Sequence, residues 1–384
     1  MPVWGGAVCH ARPPREVNPG MDLGAQWPLV LLPLAVLVAT VALCWMLPHV
    51  SPPGVLFGVT VGRTVAEGPG GAEALRLYRT VLVSGVLAPV LLWGMGLSRG
   101  SLGLLLVAAL SLAPEIIVAY LVGHFRARAL HPDGGARSTA PPVARTEDVP
   151  PPAEAARPPE ARSGLRTLLG ALPYLILLVS TLWLLRVYPD LPDPFPVHTG
   201  PNGEPDRWAP KSPTVVFLVP AGGLLLLLFL ELIRRLLRSA RLARAGTYAG
   251  WGARSVDEVL LVAQLFIGLV LATVSLGTAG VVPASVLLGV AVGAPLALLV
   301  FLLGWVARLA RERRRWPVVG DGLPDSAWKL GLFYVNPGDP ALMVPRRFGI
   351  GWTLNFARPG AWALLVLLLG IPLALAIGAL LVAR

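Results

Sequence analysis

The sequence predicts an all-α integral membrane protein with about eight transmembrane helices, a disordered cytoplasmic linker and a small cytoplasmic β-element. Three observations support this class. Hydrophobic residues make up 55% of the 384 residues and charged residues only 14%, a balance too apolar for an ordinary soluble domain. Long apolar windows recur along the chain, and the basic residues cluster in alternate loops between them.

The apolar windows are long enough to span a bilayer. A hydrocarbon core of about 30 Å requires roughly 20 helical residues at about 1.5 Å each. Proline and glycine inside several windows are compatible with this, because neighbouring helices satisfy the freed backbone groups. The eight windows cover residues 28–47, 81–98, 102–123, 167–187, 213–233, 259–278, 283–306 and 361–382.

The charge distribution predicts the orientation. With eight spans the loops alternate between two sides, and all but seven of the 32 basic residues fall on one side. Because cytoplasmic loops carry the excess of Lys and Arg, that side is predicted to be cytoplasmic, with both termini outside. This distribution also explains the net charge of +11 without a nucleic-acid partner. The seven basic residues of the other side are Arg12, Arg15, Arg99, Arg186, Arg207, Lys211 and Arg384.

Composition divides the chain further. Residues 126–164 contain eight prolines and no aromatic residue, so they cannot bury enough apolar surface to offset the entropy of ordering, and we predict a disordered linker. The arginine-rich segments 234–254 and 308–316 are expected to contact anionic lipid. The predicted regions are an external tail 1–27, a three-helix part 28–125, the linker 126–164, a second membrane part 165–306, a cytoplasmic loop domain 307–360 and a last helix 361–384.

Two loops favour short strands on the cytoplasmic side. Residues 52–65 contain short β-branched apolar runs separated by glycine. In the last loop, Asn336-Pro337-Gly338-Asp339-Pro340 is a turn signal between two strand-like runs. We therefore predict a small cytoplasmic β-element, and we expect Arg347 to meet lipid headgroups or Asp339.

The external loop 188–211 is dense in polar residues and prolines. Its acidic residues and His198 are the residue types that hold a divalent cation, but their spacing matches no known metal loop, and we predict neither a metal nor a cofactor. Two interpretations remain open. The loop is a rigid lid over the helices, or it recognises a ligand with a backbone that its prolines hold in advance.

The same loop carries a resemblance. Tyr188-Pro189-x-Leu191-Pro192-Asp193, Pro196-x-His198 and Gly203-x-Pro205-Asp206-x-Trp208 resemble the signature of an uncharacterised bacterial membrane-domain family. That family includes the SdpI-type immunity proteins, which protect cells against a secreted toxic peptide and signal its presence. The resemblance implies recognition of such a peptide or of an envelope ligand outside, and a regulator protein inside. An aromatic residue often follows the histidine in that family, whereas Thr199 stands here.

The resemblance implies a set of ligand-recognition residues: Asp193, Pro196, His198, Gly203, Asp206 and Trp208. The last cytoplasmic loop, 328–356, resembles a second uncharacterised domain that accompanies the first in some bacterial membrane proteins. The motif residues that we single out there are Trp328, Lys329, Tyr334, Asn336, Asp339, Arg347 and Asn355.

Glu115 is an acidic residue well inside a predicted span, and it follows Pro114. A charge at that depth is costly unless it is neutral, paired or hydrated. Glu115 is therefore either a proton or cation site, or a residue that reaches the membrane interface. Gln264, in the sixth window, is expected to be a polar contact between helices.

These features lead to two functional hypotheses. The first is a non-enzymatic immunity or sensing protein of the bacterial cytoplasmic membrane. The alternative is a small proton-coupled transporter or exporter that uses Glu115. No pattern of a nucleophile with a base, or of paired intramembrane carboxylates, predicts an enzyme.

Overall fold

The computed structural model describes residues 27–130, 163–199, 205–242, 248–314 and 323–382. These residues form long helices with four short antiparallel hairpins at their ends. The helices are α1 (Trp27–Met46), α2 (Arg63–Ala66), α3 (Pro69–Gly85), α4 (Leu87–Ser98), α5 (Leu102–Ala129), α6 (Ser163–Val187), α7 (Pro213–Val216), α8 (Leu218–Leu242), α9 (Tyr248–Thr278), α10 (Ala284–Arg313) and α11 (Pro359–Val382). The strands are β1 (Val55–Leu56), β2 (Val59–Thr60), β3 (Phe195–Thr199), β4 (Pro205–Ala209), β5 (Trp328–Lys329), β6 (Phe333–Tyr334), β7 (Met343–Pro345) and β8 (Trp352–Leu354).

Six helical segments of the described chain are long and apolar enough to cross a membrane, so the prediction of eight is not confirmed. Two predicted spans fall outside the six. Helix α8 carries Glu231, Arg234 and Arg235 in its second half, and the apolar stretch counted in α11, Pro359–Gly370, is short. The six segments are Pro33–Val50, Pro69–Ser98, Gly103–Ala129, Gly164–Asp190, Arg254–Thr278 and Ala284–Arg313.

Large apolar side chains on these helices point away from the protein. Leu110 and Val300, for example, are 73% and 71% exposed. Exposure of many such side chains to water would be unfavourable. Helices that are apolar on their outer faces are typical of a lipid environment. The protein is therefore a multi-pass membrane protein by the character of its helices.

Prolines explain two interruptions in the helices. Pro89 has no N–H to donate to the carbonyl of Gly85, and α3 ends at Gly85. Pro220 likewise cannot bond Val216, where α7 ends before α8 begins. Pro114, by contrast, lies within the continuous helix α5.

The helices pack as two groups that α10 joins. In the first group α5 packs against both α3 and α4, and in the second α9 packs against α6 and α8. Helix α10 contacts α1 of the first group and α9 of the second. Division into an N-terminal and a C-terminal helical part was predicted, but a single helix that contacts both parts was not.

The hairpins lie at opposite ends of this bundle. Ala279, just before α10, packs against the cluster beneath the β3–β4 hairpin. At the other end of α10, Arg313 donates to the carbonyl of Ser51, next to β1 and to the last loop. Because α10 has 30 residues, its two ends are about 45 Å apart.

The predicted β-elements are present, with one change in pairing. β1 pairs with β2 inside the predicted segment 52–65, and the last loop forms two hairpins, β5–β6 and β7–β8. The turn Asn336–Pro340 separates β6 from β7, but these two strands do not pair with each other. The β3–β4 hairpin in loop 188–211 was not predicted, because the prolines of that loop favour turns.

Two predicted boundaries were wrong. The linker was placed at 126–164, but α5 continues to Ala129 and α6 begins at Ser163. Helix α5 is longer because Ala127 is buried and Arg126 donates to Glu73 of α3 at 2.7 Å. The rest of the predicted linker and nearly all of the predicted tail 1–27 lie outside the described residues.

Candidate functional site

The β3–β4 hairpin is held at its base by Lys211. Its backbone N–H donates to Asp193 Oδ1 at 2.9 Å, and its ammonium donates to the carbonyl of Leu191 at 2.8 Å and to that of Pro189 at 3.3 Å. The Lys211 ammonium also lies 5.7 Å from the centre of the Tyr188 ring. These contacts close the loop across some twenty residues of sequence and fix the base of the hairpin.

Apolar residues fasten the inner face of the hairpin to the helix ends. Leu191 and Phe195 are buried with Leu184 of α6 and Val216 of α7. Burial of such side chains stabilises a folded segment by about 1.5–3 kcal/mol each. These contacts anchor the base of the hairpin to the helix ends.

The outer face of the hairpin presents polar and aromatic side chains. His198 Nδ1 lies 2.5 Å from Asp206 Oδ1, and both side chains are about half exposed. Trp208 is 51% exposed on β4 and opposite Pro196, which is buried. The hydrogen bond from His198 lowers the pKa of the Asp206 carboxyl below its usual value, because the bond favours the charged form.

The structure thus assigns different roles to the residues predicted for ligand recognition. Asp193 and Pro196 belong to the support of the hairpin. His198, Asp206 and Trp208 form an exposed surface, which we call the hairpin face. Gly203 lies outside the described residues.

Most of the motif residues predicted in the last loop make contacts that stabilise the loop. Asn355 is fully buried, and its amide donates to the carbonyls of Asn336, Asp339 and Ala341 at 2.9–3.2 Å. Its Oδ1 accepts from the backbone N–H groups of Asn336 and Ala357 at 3.1 and 3.2 Å. One side chain therefore closes the predicted turn.

Aromatic and charged residues complete this loop. Tyr334 is buried, accepts from Asn336 Nδ2 and donates to Asp339 Oδ2, both at 3.0 Å. Its ring centre lies 5.2 Å from that of Trp328, which is also buried. Of the seven motif residues, Lys329 is the one that stands exposed.

The prediction for Arg347 was wrong. Its side chain is 2% exposed, where lipid headgroups cannot reach it, and it pairs with Asp325 rather than with Asp339. Its guanidinium also lies 5.0 Å from the centre of the Trp328 ring and donates to the carbonyl of Leu323 at 2.8 Å. A charged residue in a loop is buried here because the loop supplies a carboxylate, a carbonyl and an aromatic face.

The last loop is docked against the N-terminal helices. The hydroxyl of Tyr120, in α5, contacts the carbonyls of Phe57 and Leu330 at 3.0 and 2.8 Å. Gly58 and Gly331 approach so closely that a Cβ on Gly58 would lie 2.5 Å from the carbonyl oxygen of Gly331. The N-terminal and C-terminal thirds of the chain therefore share one structural unit at this end of the bundle.

Glu115 is half-buried in α5, beside Gly85 at the end of α3. A Cβ on Gly85 would lie 2.7 Å from Glu115 Oε2, so glycine leaves room for the carboxyl group. Among the described residues no hydrogen bond or ion pair of Glu115 is seen. Glu115 is not brought together with any other predicted site residue.

The sequence analysis missed a buried ionic cluster between α6, α8 and α9. Arg234 is 1% exposed and donates to Asp257 Oδ1 at 3.0 Å, to Gln264 Oε1 at 2.7 Å and to Glu231 Oε2 at 3.1 Å. Arg166 of α6 reaches the same Asp257 at 3.4 Å. Gln264 forms the expected polar contact between helices. Its partner Arg234, however, belongs to the segment that we expected to contact anionic lipid.

A signal for this cluster exists in the sequence. Glu231 and Arg234 are three residues apart in α8, and Asp257 and Gln264 are seven apart in α9. These spacings place each pair on one helix face. The cluster ties three helices together and neutralises its own charges. In the described part of the chain, no group of acidic, His and Cys residues is arranged to hold a metal ion.

Two families match parts of the chain. A domain of unknown function, DUF1648, matches residues 175–224, which include the whole loop 188–211. A family of unknown function, DUF5808, matches residues 337–362 of the last loop and the start of α11. The chain therefore carries two domains of unknown function, one at each end of the bundle. A search of curated proteins gives no significant match, and a search of solved structures gives none either.

Proposed function

We propose that this protein is a non-enzymatic immunity or sensing protein of the bacterial cytoplasmic membrane. The hairpin face would bind a membrane-active peptide or another envelope ligand outside the cell. The observation that carries the proposal is the exposed group His198, Asp206 and Trp208 on a hairpin that is rigidly supported from below. Exposed tryptophans on rigid supports are typical of binding hot spots.

The charge distribution supports the orientation that this function requires. The end of the bundle that carries the last loop also carries most of the arginines, and cytoplasmic loops are enriched in basic residues. The hairpin face would then lie outside, where a secreted peptide first meets the membrane. The SdpI-type resemblance of this loop supports the same assignment.

The last loop is the proposed contact for a regulator protein inside the cell. Its buried residues hold its shape, while Lys329, Leu330 and Phe333 are exposed beside one another at the β5–β6 hairpin. A basic side chain next to exposed apolar ones is a suitable surface for a protein partner.

Orientation is tested first by labelling. In a variant with Cys9 and Cys44 replaced by alanine, single cysteines are introduced as Gly203→Cys or Gly338→Cys, and intact cells are treated with a membrane-impermeant thiol reagent. We expect Gly203→Cys to be labelled and Gly338→Cys to be labelled only after lysis. The reversed pattern would exclude external recognition by the hairpin.

Recognition is then tested by protection. Cells that express the protein are challenged with a panel of synthetic amphipathic membrane-active peptides. We expect a raised inhibitory concentration for at least one peptide. Loss of Trp208 (Trp208→Ala) or of the pair (His198→Ala with Asp206→Ala) should weaken binding of that peptide about tenfold or more. Asp190→Asn is the matched control, since it removes a charge from the same loop outside the hairpin face. Equal protection by all variants at equal membrane levels would contradict the proposal.

A proton-coupled transporter is the second candidate, and Glu115 is the observation that favours it. Its carboxyl group lies half-buried next to Gly85, without a partner among the described residues. Such a group is suited to exchange a proton across a packed helix interface. Flux that depends on pH and disappears in Glu115→Gln, but not in Asp190→Asn, would support this function over immunity.

A further inference from the structure

We propose that the end of the bundle opposite the hairpin face contains a binding site for a phosphate group. Two adjoining cavities lie there, with volumes of about 300 and 370 Å³. They share His49, Glu67 and Arg313 in their walls. We call the two together the basic cavity. It is separate from the hairpin face and from the ionic cluster around Arg234.

The charges of the basic cavity favour an anion. Arg63, Arg313 and Arg314 line it, and Glu67 is the acidic residue in its described walls. Glu67 is paired with Arg63 at 2.8 Å, and Arg314 adds an exposed guanidinium to the same wall. Arginine side chains bind phosphate oxygens through several N–H groups at once.

A further cation stands behind the wall. Arg79 Nη2 lies 3.1 Å from His49 Nε2, and its guanidinium lies 4.4 Å from the centre of the Trp45 ring. The Nε of Arg79 is buried without a hydrogen-bond partner among the described residues. A buried donor of this kind is uncommon and is expected where a ligand or water completes the structure.

Part of the wall is apolar. Val55, Leu56 and Leu75 are among the residues that line the first cavity. Two candidate spans end beside it, at Val50 and at Arg313. A phosphate on an acyl-bearing lipid would satisfy both the basic and the apolar walls, whereas free phosphate would use only the basic one.

The basic cavity is connected to the last loop. Arg313 Nε donates to the carbonyl of Ser51 at 2.7 Å, and Ser51 Oγ accepts from the backbone N–H of Gly349 at 2.9 Å. Occupation of the cavity would therefore stabilise the contact between β1–β2 and the DUF5808 region. Phosphate binding could therefore affect the proposed regulator surface. The phosphate site itself does not depend on that proposal.

The test uses the purified full-length protein in detergent, with three probes. These are a short-chain phosphatidylglycerol, inorganic phosphate and the matching uncharged diacylglycerol. We expect saturable binding of the phosphate-bearing lipid, seen as a rise in Tm, and none of diacylglycerol. Binding of inorganic phosphate with equal affinity would identify a soluble phosphate, rather than a lipid, as the source of the group. Absence of saturable binding for both phosphate probes would overturn the proposal.

Variants localise the effect. Arg63→Gln combined with Arg314→Gln should weaken phosphate binding about tenfold. These residues are chosen because both side chains lie at the surface, whereas Arg313 supports the loop after α1. Arg311→Gln is the matched control, since Arg311 is exposed on the same helix and does not line the cavity. Equal weakening by Arg311→Gln, or none in the double variant, would show that the cavity is not the site.

Discussion

Loop 188–211 and the last loop, 328–356, have similar compositions but place their polar side chains differently. Each combines prolines and glycines with a few polar and aromatic residues. In the β3–β4 hairpin the polar side chains His198 and Asp206 are exposed above an apolar base. In the last loop Asn355 and Arg347 point inward and are almost completely buried.

This difference shows that a motif of polar residues has two physical explanations. Exposed polar groups contribute little to stability and are available to a partner. Buried polar groups are costly unless every donor and acceptor is satisfied, so they define the fold around them. The hairpin face is therefore the better candidate for recognition, and the motif of the last loop is mainly structural.

The largest effect is expected for Asn355→Ala. The substitution removes five hydrogen bonds at once and takes the acceptor Oδ1 away from the backbone N–H groups of Asn336 and Ala357. A loss of about 3 kcal/mol in the stability of the loop follows from the cost of such groups. Hydrogen exchange of the amides of residues 334–341 in the detergent-solubilised protein measures it.

Lys329→Ala serves as the control for this substitution, because Lys329 belongs to the same motif but is exposed. Its effect should stay within about 0.5 kcal/mol. If both variants exchange equally fast, the motif is not structural and the contrast between the two loops disappears.

A smaller effect is expected at the contact between the last loop and the N-terminal helices. Gly58 and Gly62 both have a φ of +80°, so alanine is strained by about 1 kcal/mol at either position. Only at Gly58 does the added Cβ meet backbone, at 2.5 Å from Gly331, while nothing lies within 4 Å at Gly62. Gly58→Ala should therefore lower Tm more than Gly62→Ala. Equal shifts would mean that the close approach does not contribute.

The smallest effect is expected at the hairpin face, as a function of pH. The hydrogen bond from His198 depresses the pKa of Asp206, so its contribution is present above the unfolded-state pKa of about 3.9 and is lost as pH falls through the lower folded value. The 13C shift of the Asp206 carboxyl in labelled full-length protein, assigned with Asp206→Asn, reports the titration. We expect a midpoint below that of an ordinary aspartate and a return toward it in His198→Ala. An unchanged midpoint in His198→Ala would mean that the contact does not persist in solution.

Much of the helical frame could be predicted, since it depends on local composition. The long apolar windows predicted where the helices lie. Helix α8 is not among the candidate spans, because it contains Glu231, Arg234 and Arg235. The last loop's turn at Asn336–Pro340 was also recognised. The burial of Arg347 was not, because burial depends on Asp325 and Trp328 meeting it from other parts of the loop.

What the sequence determined by itself is which segments prefer lipid, which prefer water, and how charge divides the loops. These preferences belong to single residues and short windows, because transfer free energy is local. The tertiary structure decided which distant groups meet. It brings Arg234 to Asp257, and it brings Ser51 to Gly349 across 298 residues. It also brings His198 to Asp206 across a hairpin that was not predicted, because its prolines favour turns. Such pairings depend on helix packing and strand register, which no local pattern specifies.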